Sequence, residues 1–299
     1  MTTTLGRANN QISIAPPPHR RRHWLSGNLR PSRIITALLI FVLVAGAILP
    51  ILLLVSDSLR SDSETANNPI GLPLHPNWSN YVGALRDMNY ARTVANTVLI
   101  TGASAIIVML AGSLCAWAIA RHTRRWTRVL YQSFVAGLAI PIFVLITPLY
   151  RLMQQLHLLD TFPAVILSYA GLGLPFAVFF FTSFLRASPV ELEEAAAIDG
   201  CGLLRTYRYI VLPLLRPATA TLAIFSSLAV WNDLVVPLVL LTSDDKRTVT
   251  LSVYSTIGTH SYSAAQLLPT VVLGTIPLFL VFLLLQPHII AGITAGSTK

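Results

Sequence analysis

Six long apolar runs leave this chain few ways to fold. They lie near residues 34–56, 94–120, 130–150, 162–185, 214–241 and 267–287. The first has 23 residues, which as a helix span about 34 Å, enough to cross a hydrocarbon core of about 30 Å. Within lipid every backbone polar group needs a partner in the protein, so only helices and closed barrels cross. Barrel strands alternate apolar and polar residues, whereas these runs are continuous. The expected fold is all-α and polytopic, with six transmembrane helices. The long second and fifth runs are expected to tilt or to extend beyond the bilayer.

Composition agrees. Of 299 residues 54% are hydrophobic and 11% charged, where a soluble domain carries about 25% charged residues. Mean hydropathy is +0.66. The net charge of +9 reads as topology rather than nucleic-acid binding, because the basic residues cluster at span ends. With the N-terminus in the cytoplasm, fifteen Lys and Arg residues fall inside and six outside. The six are Arg60, Arg86, Arg92, Arg151, Lys246 and Arg247. That bias places both termini in the cytoplasm.

Residues 1–33 carry Pro16-Pro17-Pro18 and Arg20-Arg21-Arg22 and are expected to form a disordered basic tail. The first apolar run exceeds a signal peptide's apolar segment of about 7–15 residues, so it is expected to remain as an anchor. Residues 34–299 are then one transmembrane domain. Its outer loop over 57–92 is expected to hold a short helix near 79–87. Cys115 lies in a span and Cys201 in a loop, so no disulfide is expected between such different depths. No His/Cys cluster suggests a metal site.

The cytoplasmic loop at 186–213 carries the most information. Ser188 suits an N-cap, Pro189 the first helical position and Glu191 a capping box. Glu191, Glu193 and Glu194 favour the positive end of the helix dipole. Ala195, Ala196 and Ala197 favour helix and leave a low surface, and Asp199-Gly200 supplies a left-handed stop. The expectation is a helix of about eleven residues over 189–199. A second amphipathic turn follows from Leu203 to Val211. Glu191, Glu194 and Ile198 share one face. Such a rod suits insertion into a cleft on a soluble partner; equally, it suits a linker helix that satisfies only its own ends.

Glu194-Ala195-Ala196, then Gly200, then Ile210-Val211-Leu212-Pro213 resembles the EAA loop of ABC importer permeases. The resemblance implies the type I permease fold and a coupling helix docked on a cytoplasmic ATPase dimer. Glu191, Glu194, Ala195, Ala196, Ile198, Asp199, Gly200, Arg205, Ile210, Leu212 and Pro213 would form the docking element, with Glu194 facing a basic group. Asn96-Thr97, Pro148-Leu149-Tyr150, Leu174-Pro175-Phe176, Trp231-Asn232-Asp233, Pro237-Leu238 and the stretch from Gln286 to Gly296 resemble the carbohydrate, maltose-transporter-like branch, in its second-permease type. Pro287 departs from the basic residue usual there. The resemblance further implies a homologous second permease, expected as a heterodimer, an extracytoplasmic sugar-binding protein, and residence in the bacterial inner membrane. The solute is expected to be a sugar; a non-sugar solute stays open.

The chain contains no G-x-x-x-x-G-K-[ST] phosphate loop, since its two lysines are Lys246 after Asp245 and Lys299 after Thr298. No cofactor is expected on this chain; ATP and Mg would sit on the partner ATPase. Asp233 is the ionisable residue deep in a span, and such a charge defaults to a functional hypothesis. With Trp231 and Asn232 it suits a polar path for sugar hydroxyls. Equally, Pro237 cannot bond the carbonyl of residue 233, so a bend is expected there, with Asn232 and Asp233 satisfying freed backbone. An intramembrane protease lacks its histidine or its second aspartate at depth. An ion-coupled secondary transporter would need more buried carboxylates or inverted repeats.

Overall fold

The computed structural model describes residues 31–68, 70–259 and 263–297, with side chains over 35–68, 70–257 and 263–283. The expected basic tail lies, up to residue 30, outside the described residues. Every element among the described residues is helical. The chain divides into two compact units at Pro50.

The first unit contributes most of α1 (Pro31–Ser58), which is apolar all round. Its side chains from Ile35 to Leu52 are exposed. A helix with no polar face needs lipid or another chain around it.

The second unit opens with an ordered outer loop. In it α2 (Asp62–Asn67), which was not anticipated, carries its own Ser61–Glu64 capping box. The short helix expected near 79–87 is α3 (Ser79–Asp87). Buried Arg60 organises this loop, donating to Asp57 at 2.8 Å and to the Glu64 and Asn68 carbonyls at 2.6 Å. A basic residue counted on the outer side is thus held as a structural hub.

The centre of the unit is the pair α4 (Tyr90–Arg121) and α7 (Phe162–Ala187), which make the most extensive helix contact. Small residues permit it. A Cβ placed on Gly112 would lie 2.7 Å from that of Ala177, and one on Gly173 would lie 3.0 Å from Val108. Lipid chains are as apolar as Leu, so close backbone approach drives such packing in place of the hydrophobic effect.

The third expected span is bent by 106° rather than continuous, into α5 (Arg125–Gly137) and α6 (Ile142–Gln155). Pro141 sits at the break, where it lacks an N–H and holds an extended backbone.

The cytoplasmic loop folds as α8 (Glu191–Ile198), α9 (Leu203–Thr206), a five-residue π-turn over Tyr207–Val211, and α10 (Leu212–Leu214). The fifth expected span is also interrupted. α11 (Arg216–Asn232) ends at Asp233, and α12 (Val235–Leu240) restarts beyond it. The predicted bend thus falls four residues before Pro237. α13 (Val249–Thr259) is an additional helix, and α14 (Ala264–Ser297) runs past the expected end of the sixth span. Among the described residues four helices are long and apolar enough to cross a membrane, and up to six spans result if each bent pair is one.

Among the described residues two apolar clusters tie the unit together. One joins Val108 and Ala116 of α4 to Phe181 and Leu185 of α7, Tyr207 and Val211 of the π-turn, and Leu222 of α11. The other joins Ile100, Met153, Val165, Val236, Leu240 and Leu251 towards the opposite end. At that end Asp160 links the start of α7 to the stretch after α12. Its carboxylate accepts from the Thr242 N–H (2.9 Å), the Ser243 N–H (3.0 Å), the Ser243 hydroxyl and Lys246 Nζ (2.9 Å). The Ser243 hydroxyl, the Ser243 and Thr242 amides and Lys246 together hold this carboxyl well below the usual carboxylate range, against a smaller opposing effect of burial.

Candidate functional site

The loop helix is closed at its C-terminus by a two-bond left-handed cap. The Gly200 N–H donates to Ala197 O (3.1 Å) and the Cys201 N–H to Ala196 O (2.9 Å), with Gly200 at φ +78. This is the stop expected at Asp199-Gly200, and glycine adopts it without Cβ strain.

The start differs from expectation. α8 has eight residues, its N-cap is Val190, and no side chain caps it. Ser188 instead donates to Phe184 O at 3.0 Å, so it finishes α7 rather than starting α8. Glu191 therefore completes no capping box. Glu191, Glu193 and Glu194 still occupy the first turn, where the dipole favours them.

Exposure sorts the expected docking residues. Glu191, Glu194, Ala195, Asp199, Gly200 and Arg205 are exposed, and Ile198 is 86% exposed. Ala196 is buried against its own chain, so the alanine surface is divided. Ile210, Leu212 and Pro213 are half-buried and root the loop. Leu203, expected only as the start of an amphipathic turn, and Leu204 join the exposed tip at 79% and 78% exposed. Two adjacent leucines directly after the glycine-rich stop at Gly200-Cys201-Gly202 are the available signal.

Glu193 was passed over as an individual site, and it faces inward. Its carboxylate accepts from Trp117 Nε1 (2.8 Å) and from Arg121 Nε (3.0 Å) and Nη2 (2.7 Å). Arg121 also donates to Leu185 O at 3.1 Å. The Arg121 and Glu193 side chains are only 17% and 10% exposed. Removing one partner would leave the other charge in this largely desolvated position without its compensation. One helical turn along α4, Ser113 shares a 2.6 Å hydrogen bond with the Tyr207 hydroxyl, and the Trp117 and Tyr207 rings are 5.7 Å apart. Residues 113, 117 and 121 share one helix face. That face holds both legs of the loop.

In the fifth span Asp233 stands where the helix breaks, with ψ 132. Its carboxylate accepts from Tyr169 OH (2.8 Å) and from the Val235 and Val236 amides (3.3 and 3.0 Å), the free donors at the restart of the helix. Its carbonyl, which Pro237 cannot bond, accepts from Thr250 Oγ1 at 2.8 Å. Asn232 donates to Leu228 O within its own helix. Asp233 lines a cavity of about 460 Å³ together with Ser104, Tyr169, Phe176 and Phe225. Trp231 and Asn232 line a different one, of about 390 Å³, beside α13 and α14. The three residues expected to share a path are thus placed on two sides of the broken helix.

The model of the family "Binding-protein-dependent transport system inner membrane component" matches residues 108–294, more than half of the chain. The chain belongs to this family. The inner-membrane component is 35% identical over 254 residues to the diacetylchitobiose uptake system permease protein of Streptomyces coelicolor, covering 84% of each. To the melibiose/raffinose/stachyose import permease protein of Bacillus subtilis it is 30% identical, over 89% of this chain and 96% of that one. To the trehalose transport system permease protein of Mycobacterium tuberculosis it is 29% identical, over 88% and 96%. A crystal structure of a bacterial ABC transporter involved in the import of the acidic polysaccharide alginate contains a chain with the same fold. The TM-score is 0.75 at 22% identity, covering 88% of this chain and 98% of that chain.

In this inner-membrane component the family match begins at Val108, within α4. It therefore takes in the Trp117–Arg121 face, the whole cytoplasmic loop and the break at Asp233, and leaves out α1 to α3.

Proposed function

We propose that this inner-membrane component is the permease subunit of an ATP-driven importer that moves a sugar into the cytoplasm by alternating access. ATP and Mg are used by a separate ATPase dimer, which docks on the tip formed by α8 and α9. A homologous permease completes the membrane pathway as a heterodimer, and an extracytoplasmic binding protein delivers the sugar.

The observation that carries this reading is the division of the loop into a rooted base and a bare tip. Glu191, Glu194, Ala195, Ile198, Leu203 and Leu204 are exposed, and among the described residues neither Glu191 nor Glu194 makes an ion pair. Large apolar side chains held outside lipid on a fixed scaffold mark a protein contact. The charge bias puts this tip in the cytoplasm, where ATP is. The sugar class rests on the substrates named for the relatives.

The test is purification of the complex followed by uptake from a panel of diacetylchitobiose, melibiose and trehalose. An ATPase should accompany the chain, and at least one sugar should enter only with ATP. Glu194→Lys should leave membrane insertion intact and abolish uptake. Normal uptake by that variant would remove the docking role.

A further inference from the structure

We propose that Arg121 and Trp117 are positioning residues that fasten the coupling helix to α4, making α4 the lever that carries its movement to the cavity wall. This rests on the reading above that an ATPase moves the tip.

Adjacent residues on a helix point about 100° apart. Glu194 faces outward, and Glu193 faces the end of α4 with three donors on its carboxylate. The second leg of the loop is tied to the same α4 face through Tyr207 and Ser113. Two attachments on one face hold orientation as well as distance. α8 cannot swing relative to α4 without breaking charge-assisted bonds, the stronger class of hydrogen bond.

The covalent route from the loop into the fifth span is different. It turns through 72° around Leu215 before α11 begins, after a π-turn. A corner beside a π-turn transmits displacement less directly than a continuous helix. α4 runs unbroken for 32 residues. Ser104, Ala105 and Val108 on it line the cavity that also meets Asp233. Ala105 stands about 24 Å along the axis from Arg121 at 1.5 Å per residue. A displacement applied at Glu193 therefore reaches the cavity through one rigid element.

The experiment uses the whole complex with its ATPase, in a Cys115→Ser, Cys201→Ser background carrying Ala105→Cys as reporter. Maleimide labelling of the reporter is compared without nucleotide and with ATP, Mg and vanadate. With the clamp intact the rate should change by about fivefold or more, the lower end of ordinary coupling between sites. Arg121→Gln and Glu193→Gln should each reduce the change to below about twofold while the ATPase stays bound. Arg121→Lys keeps the charge and loses the paired N–H geometry, and should give an intermediate response.

Full nucleotide response in the two Gln variants would overturn the proposal. So would loss of the ATPase from those variants, because the clamp would then shape the docking surface rather than transmit from it. A missing response in the complex with an intact clamp would overturn the parent reading as well, and that result differs from a loss confined to the variants.

Discussion

Gly112 of α4 and Ala177 of α7 approach so closely that a methyl group on Gly112 would sit 2.7 Å from the Ala177 Cβ. That contact lies inside the apolar cluster that also holds Tyr207 and Val211 of the cytoplasmic loop. The most extensive helix contact in the unit is thus continuous with the root of the cytoplasmic loop.

Gly112→Val should force α4 and α7 apart at a cost of about 1–3 kcal/mol, the usual range for overpacking. Gly102 lies in the same helix with nothing near its missing Cβ. Gly102→Ala should be neutral or stabilising by up to about 1 kcal/mol, since alanine favours helix. Thermal unfolding in detergent separates the two. An equal shift for both variants would mean the Gly112 contact does not hold the pair.

Gly200 at φ +78 has open space around it, so a side chain there meets strain and no clash. Gly200→Val should cost about 1–2 kcal/mol locally, the penalty of a left-handed L-residue. Gly200→Asn should cost less. Uptake should fall in that order, with membrane insertion unchanged. Equal uptake by both would show that the α8–α9 turn tolerates another backbone path.

The Asp160 carboxyl is held below the usual carboxylate range, chiefly by the Ser243 hydroxyl and amide. A depressed pKa contributes stability above the unfolded value, near 3.9 for Asp, and loses it as pH falls through the folded value. Asp160→Asn should therefore lower the melting temperature at pH 7. The gap from the unaltered protein should stay constant from pH 8 to about 5 and narrow below about 4. A gap that instead opens as pH falls would have the wrong sign for this carboxylate.

The carboxylate of Asp233 accepts three hydrogen bonds from its own chain. Asp233→Asn retains one acceptor oxygen and should keep partial transport, while Asp233→Ala should lose more. Complete loss in Asp233→Asn with normal assembly would show that the charge itself serves the solute. Uptake of whichever panel sugar the unaltered complex imports is the measurement.

The spans and the left-handed stop at Gly200 were legible in the sequence because both depend on local pattern: an apolar run and a glycine after a helix. The broken spans were partly legible. Pro141 marks the bend between α5 and α6, and it was hidden by the run of apolar residues around it. In the fifth span Pro237 points to a bend at residue 233, and the break falls there, with the Asp233 carboxylate taking the freed amides. The role of Ser188 escapes local pattern, because its hydroxyl suits either an N-cap or the preceding helix, and it bonds the carbonyl of Phe184. Glu193 and Arg121 stand 72 residues apart, and no periodicity encodes a contact over that distance. The separation of Trp231 from Asp233 across a helix break was equally out of reach, since it depends on where the helix stops.

The central claim is that the α8–α9 tip is gripped by a separate ATPase. The most direct measurement is crosslinking from Ala195→Cys in the purified complex, in the Cys115→Ser, Cys201→Ser background, with Ala196→Cys as the companion. Ala195 is exposed and Ala196 is buried against its own chain. A crosslink to a co-isolated ATPase is expected from residue 195 and little from residue 196. No crosslink to any ATPase from residue 195, with solute moved by this chain alone, would contradict it.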